Sequence, residues 1–227
     1  MNKVNNSVAI LLNGPASCGK GIVVDYLRKQ GIDLKVKSCK DHLHKLTMEF
    51  FCVPEEAYWS IYNDRKLKEK PNTYFRIKLG LMERIKLRGL VGNTPIFRDV
   101  VYLSIRQAMI YVSEIVCKPR FGYDYFGKAR ALSVQDNEVI LDDSCSAFLN
   151  DSGVISAEEI YPLMDSIGEN NILLIRIHRS TCNFNNDSRR YVPDGVVNNT
   201  IDVYNDGDEK KYIQFMKNTI YDFIDLR

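Results

Sequence analysis

The chain has 227 residues, 45% of them apolar, with only 7 Pro and 13 Gly. It is long enough to close a sizeable core and too apolar for a disordered or fibrous chain. Its 31 basic and 29 acidic side chains nearly cancel, so no global field draws it to nucleic acid or an anionic membrane, and any anion it binds must be met by a local site. The six cysteines, Cys18, Cys39, Cys52, Cys117, Cys145 and Cys182, lie far apart without a C-x-x-C pair. That argues against a zinc cluster or a disulfide framework and for reduced thiols in a cytoplasm.

The first apolar run, Val8 to Leu12, is stopped at once by Asn13-Gly14-Pro15. It is too short for a membrane span or a signal-peptide core and reads as a buried strand, Ser7–Leu12. Further strands are expected at Leu34–Ser38, Val139–Leu141, Ile172–Ile177 and Thr200–Tyr204, with a weaker one around Pro95–Phe97. Apolar residues recur at three and four between Lys40 and Pro71 and between Thr73 and Gly89, as in Tyr74, Leu81, Ile85 and Phe75, Leu79, Met82. That spacing predicts helices. Ser180 to Tyr191 is the one polar stretch long enough for a mobile loop. The chain closes on an amphipathic helix that begins after Asn205-Asp206-Gly207, with Ile213, Met216, Ile220 and Ile224 on one face. Short apolar runs alternating with helices predict an α/β fold, a parallel sheet flanked by helices.

One motif carries chemistry. Gly14-Pro15-Ala16-Ser17-Cys18-Gly19-Lys20 fits G-x-x-x-x-G-K, in which successive backbone N–H groups curl around phosphate oxygens and the lysine reaches the β and γ phosphates. It follows a strand and precedes Val23, Val24 and Leu27 on one helix face, so the helix dipole adds to the phosphate site. Gly14, Ala16, Ser17, Cys18, Gly19, Lys20, Gly21 and Ile22 are therefore the candidates for binding ATP. Cys18, inside the loop beside Lys20, is expected to alkylate quickly and to be shielded by ATP. The hydroxyl residue usual after the lysine is replaced by Gly21, so Mg²⁺ must be held otherwise. Asp142, at the end of the strand Val139-Ile140-Leu141, is the first choice, a strand-end turn being its plain alternative.

Around this loop the sequence resembles the phage-type deoxynucleoside monophosphate kinases, a branch of the adenylate-kinase-like P-loop enzymes. The resemblance rests on Ser38-Cys39-Lys40-Asp41-His42-Leu43, similar to the Ser-Phe-Ala-Asp-x-Leu-Lys run of that group, although His44 stands where the group has its lysine. It continues through Lys68-Glu69-Lys70-Pro71, Ser104-Ile105-Arg106-Gln107, Gly122-Tyr123-Asp124-Tyr125-Phe126-Gly127 and Asn205-Asp206-Gly207. It implies one P-loop kinase domain over 1–227, with a core (1–38, 134–177 and 198–227), a helical acceptor-monophosphate region at about 39–130 and a small lid at about 178–192. It also implies ATP and Mg²⁺ as cofactors, nucleotides as substrates, and a host cytoplasm if the chain is phage-encoded. Neither nucleic acid nor membrane is expected as a partner, and a homodimer is left open.

Phosphoryl transfer needs cations to close over the moving group. Lys20, Arg176 and Arg179 are the catalytic candidates, and Arg189 and Arg190 either cap the site as lid residues or form a solvated pair. For the acceptor, Arg106 is the leading candidate because guanidinium grips phosphate in a bidentate way, with Lys40 and Arg76 behind it. Ser38, Asp41, Gly122 and Asp124 complete the set together with Lys68 and Glu69, which alternatively form a structural ion pair. The basic run Arg76, Lys78, Arg84, Lys86, Arg88 reads as a solvated helix face, and His42 and His44 as surface or packing residues. Two other functions stay open: a P-loop kinase with a hydroxyl acceptor such as dephospho-coenzyme A, Asp41 serving as base, and a non-catalytic ATP-binding protein.

Overall fold

In the computed structural model, residues 6–30, 34–92, 98–149, 155–185 and 189–225 are described. In chain order they form β1 (Val8–Asn13), α1 (Lys20–Lys29), β2 (Leu34–Val36), α2 (Cys39–Phe51), α3 (Glu55–Asn63), β3 (Arg76–Lys78), α4 (Leu81–Val91), β4 (Val100–Tyr102) and α5 (Ile105–Ile110). A π-helical segment, Tyr111–Cys117, then runs into α6 (Lys118–Phe121). There follow α7 (Tyr125–Leu132), β5 (Val139–Asp142), β6 (Ala147–Leu149), β7 (Ile155–Ser156), α8 (Tyr161–Ile167), β8 (Ile172–His178), β9 (Arg189–Arg190), β10 (Asn199–Tyr204) and α9 (Glu209–Asp225). The chain divides into two units, one built from the residues up to Cys39 and from Phe126 onward, the other from Lys40–Tyr125.

The first unit is an α/β unit with a five-stranded parallel sheet in the order β2-β5-β1-β8-β10. The five strands expected from the apolar runs are these five. All six residues of β1 are buried, as a central strand covered on both faces requires. On one face Val23, Val24 and Leu27 of α1 and Tyr212, Met216, Ile220 and Phe223 of α9 pack on Ile10, Leu12, Ile175 and Ile177. On the other face Leu163 and Ile167 of α8 cover Ala9, Leu11, Ile140 and Leu174. From β1 the chain moves out to β2, returns to β5, then crosses to β8 and β10 on the opposite side. Such a reversal opens a crevice at the carboxyl ends of the central strands, where ligands of open α/β sheets bind.

A small antiparallel sheet, β7-β6-β9, belongs to the same unit. It pairs Ala147 with Arg190 and Phe148 with Arg189. The polar stretch from Ser180 to Tyr191 therefore does not run as loop throughout; its far end is a strand, while 186–188 lie outside the described residues. The buried Asn13 side chain ties the pieces together, donating to the Cys145 carbonyl at 3.0 Å and accepting from the Val192 amide at 2.8 Å.

In the second unit, the helix expected over Thr73 to Gly89 is broken. Thr73–Phe75 is a 3₁₀ turn, and Arg76–Lys78 pairs antiparallel with Val100–Tyr102. Phe75 and Leu79 are buried and Ile77 half-buried. Positions 75 and 79 satisfy a period of two as well as a spacing of four, so apolar spacing alone does not separate strand from helix there. The strand considered at Pro95–Phe97 lies outside the described residues. The basic run is likewise not one solvated face: Arg76 and Lys78 are on β3, and Arg84 is buried with its guanidinium 3.2 Å from Asp99. No helix among the described residues is long and apolar enough to cross a membrane.

Candidate functional site

The turn from β1 into α1 occupies the switch point of the sheet. Ser17 (φ 65°) and Gly19 (φ 114°) take positive backbone angles, and such alternation makes successive amides converge into an anion nest. Two glycines are needed for contact reasons as well. A Cβ on Gly14 would lie 2.7 Å from both the Cys18 sulfur and the Ile177 carbonyl oxygen, and one on Gly19 would lie 2.4 Å from Asn205 Nδ2. Ala16 and Ser17 are exposed on the turn and Ile22 is half-buried. Cys18 points the other way, fully buried among the core side chains under the sheet edge. That burial works against the quick alkylation expected of it, while the Lys20 ammonium lies 3.6 Å from the sulfur as the expectation supposed. The Lys20 ammonium donates to the carbonyls of Gly14 and, at 2.7 Å, Pro15, folded back over the loop.

The arginines expected near the loop differ in what they do. Arg179 Nη1 donates to the Ser17 carbonyl at 3.2 Å. Arg176 instead grips Asp202 through Nε at 2.9 Å and Nη2 at 2.5 Å, donates to the Val192 carbonyl at 3.1 Å and pairs with Asp194 at 2.7 Å. The bidentate bond to Asp202 holds its pKa above the ordinary arginine value. Its donors are thus committed to bracing β8 against β10. Arg189 and Arg190 are half-buried in β9 rather than carried on an open loop.

Asp142 is fully buried at the end of β5 and is not an open metal ligand. Arg130 donates to its Oδ2, and Ser144 donates to Oδ1 through its amide at 2.7 Å and its hydroxyl at 2.6 Å. Arg130 also donates to the Glu159 carbonyl at 2.6 Å. Burial opposes the guanidinium charge, yet the surrounding groups, Asp142 among them, hold its pKa above normal. Ser38 joins this cluster, its hydroxyl 2.5 Å from that of Ser144. Gly21 offers no hydroxyl, and no group of three acidic, His or Cys side chains is assembled for a metal among the described residues.

In the second unit the β3/β4 hairpin brings distant residues together. The Asn72 amide donates to the Leu103 carbonyl at 2.9 Å, which places the segment before the hairpin beside the one after it. Ser104 caps α5, its hydroxyl accepting from the Gln107 amide at 3.2 Å while Gln107 Oε1 accepts from the Ser104 amide at 3.0 Å. This reciprocal cap fixes the first turn, with Ile105 buried and Arg106 projecting outward. Arg106 Nη1 lies 3.4 Å from Glu69. Lys68 does not close an ion pair with its neighbour as its main contact; its ammonium sits 3.5 Å from the centroid of the Tyr62 ring. Burial, then repulsion from Lys40 and from Arg106, lower the Lys68 pKa, with Glu69 pulling the other way. Lys40 and Arg106 thus lie close enough to Lys68 to disfavour its charge, which Glu69 in part offsets.

Other candidates fall elsewhere. Arg76 is exposed on β3 opposite Tyr102. Asp41 is exposed in the first turn of α2, where a carboxylate suits the helix dipole. Gly122 ends α6 with φ 98°, beside the half-buried Asp124. Of the histidines, His44 is a packing residue as expected, its Nδ1 2.7 Å from the Tyr58 hydroxyl. Burial and then the nearby Lys40 and Lys68 lower its pKa to about 4. Sequence reasoning did not assign Asn13, Tyr62 or Arg130, and treated Asn205 only as part of a turn. Their signal lies in pairing across the chain, which spacing does not carry. No protein-family model matches the chain and no curated protein matches it.

Proposed function

We propose that the chain is a P-loop kinase that transfers the γ-phosphoryl group of ATP to a nucleoside or deoxynucleoside monophosphate. The observation that carries this reading is the G-x-x-x-x-G-K turn standing between the central parallel strand and α1, at the switch point of the sheet. In the proposed reaction Lys20 exchanges the Gly14 and Pro15 carbonyls for the β and γ phosphate oxygens, and the nest amides hold the remaining charge. Arg179, held at the Ser17 carbonyl, adds its positive charge to the loop from behind the nest. The acceptor is recognised by its own phosphate through Lys40, Lys68 and Arg106, cations whose mutual repulsion an anion relieves. An acceptor phosphate oxygen is ionised near neutral pH, so no general base is required. Mg²⁺, when present, comes on the nucleotide phosphates and water, as this cation commonly does.

A second reading, an ATP-binding protein without transfer, draws on Gly21 and on the commitment of Asp142 to Arg130. ADP release from ATP, measured across ribo- and deoxynucleoside monophosphates and dephospho-coenzyme A, decides among the readings. Stimulation by a monophosphate with formation of the diphosphate is the expected result. Stimulation by dephospho-coenzyme A alone turns the reading to a hydroxyl acceptor, and no stimulation by any acceptor overturns the kinase assignment.

A further inference from the structure

The phosphate loop is held from behind by residues of the last strand and helix. Asn205, buried directly after β10, donates through Nδ2 to the Cys18 carbonyl at 2.8 Å, and its own amide donates to the His178 carbonyl at 2.8 Å. The Tyr212 hydroxyl, on α9, lies 3.5 Å from the Gly19 carbonyl oxygen, at the long end of hydrogen bonding. Arg179 takes the Ser17 carbonyl. Three consecutive carbonyls, of residues 17, 18 and 19, thus face donors supplied from far along the chain. In a planar trans peptide the carbonyl of one residue and the N–H of the next point in opposite directions. Drawing these carbonyls toward the protein therefore turns the amides of Cys18, Gly19 and Lys20 outward, toward the place an anion takes in a nest.

Resting on the phosphate-loop reading above, we infer that Asn205 is a positioning residue of the nucleotide site, fixing the Cys18–Gly19 peptide so that its amide meets the nucleotide phosphates. Asn205 is chosen over Tyr212 because its bond is the shorter of two buried ones, 2.8 Å against 3.5 Å, and because Gly19 approaches it so closely that no side chain fits between them. Its action goes through the backbone, so it belongs to the phosphates and not to the base.

The test uses the full chain and two probes, MgATP and inorganic tripolyphosphate, titrated by calorimetry alongside a melting curve. Asn205→Ala is expected to weaken both probes alike, by about fivefold to tenfold, the usual worth of one lost buried hydrogen bond. Asn205→Asp keeps the shape of the side chain but presents an acceptor to the Cys18 carbonyl, and is expected to weaken both further. Should the alanine variant fail to fold, the aspartate variant, together with Tyr212→Phe as a smaller loss in the same direction, carries the comparison. Unchanged binding of both probes overturns the inference, as does loss of ATP binding with tripolyphosphate unaffected, which makes Asn205 a contact of the nucleoside. Lys20→Ala in the same titration separates the two levels. If it loses both probes while the Asn205 variants do not, only the positioning role fails. If it retains both, the phosphate-loop reading itself fails.

Discussion

Arg106 and His44 show how a single side chain divides between structure and chemistry. Arg106 touches Glu69 at 3.4 Å with both side chains about half exposed, at 46% and 57%, and such a pair contributes at most about 1 kcal/mol. The fold therefore does not depend on it. Arg106→Lys is expected to melt like the parent and bind ATP unchanged, while raising the monophosphate KM about tenfold, because an ammonium does not reproduce the planar two-point grip. Steady-state kinetics with each substrate varied in turn check this, and unchanged monophosphate kinetics remove Arg106 from the site. His44 is the opposite case. Its pKa of about 4 in the folded chain lies below the ordinary 6.5, so between those values the unfolded chain binds a proton that the folded chain refuses. Stability is intact above about pH 6.5, falls as pH drops toward 4 by up to about 3 kcal/mol, and falls no further below that from this group. Urea unfolding across pH 4 to 7 is expected to show this slope, and His44→Gln to flatten it. A slope unchanged by His44→Gln assigns the effect to other groups.

At the scale of elements, what the sequence made legible and what it did not follow from how far each pattern reaches. The β1–turn–α1 unit was readable because apolar run, glycines and lysine are contiguous. The three inner parallel strands, β1, β5 and β8, were readable because burial on both faces writes them as largely apolar runs, whereas the edge strands β2 and β10 carry exposed residues such as Lys35 and Asp202 and showed only as short apolar alternations. The β3/β4 hairpin was not, since three-residue strands with Phe75 and Leu79 inside also fit helical spacing, and β6, β7 and β9 pair through residues as distant as Ala147 and Arg190. Asp142 was found as a strand-end carboxylate, but its partner Arg130 sits on a separate helix, and nothing in the spacing marks it as already neutralised. Gly21 shows in the sequence as the lack of a hydroxyl after Lys20. The structure adds that the position is open: no atom lies within 4 Å of a Cβ built there, and it is exposed in the first turn of α1. Gly21→Ser is accordingly expected to melt at or slightly above the parent temperature, gaining about 0.5 kcal/mol from the stiffer backbone. It is also expected to lower the Mg²⁺ concentration that half-saturates ADP release, because a hydroxyl becomes available beside the nucleotide phosphates. A fall of several degrees in melting temperature contradicts the openness of the site, and an unchanged Mg²⁺ requirement contradicts the metal reading.

For the whole molecule, the proposed chemistry is distributed over two units of different build. The unit containing the parallel sheet carries the phosphate loop, and Lys40–Tyr125 carries the cluster of Lys40, Lys68 and Arg106. Each ligand should therefore leave its own footprint, since a ligand that binds the folded state raises the cost of opening the segments it holds. In amide hydrogen exchange, MgATP is expected to slow residues 14–20 and the bracing segments at 178–180 and 205–212, which reach the loop through Asn205, Tyr212 and Arg179. A monophosphate without ATP is expected to slow the first turn of α2, the turn at 64–70 and the capped start of α5. The turn is set by Asp64 Oδ1, which accepts from the amides of Lys66 at 2.7 Å and Leu67 at 3.0 Å, so its exchange reports directly on Lys68. Protection at about a hundredfold excess over Kd corresponds to about 2.7 kcal/mol, large against the scatter of the method for surface turns. Protection by the monophosphate confined to the sheet unit would place acceptor recognition away from Arg106. ATP protection that spares 205–212 would leave the loop without the support assigned to it.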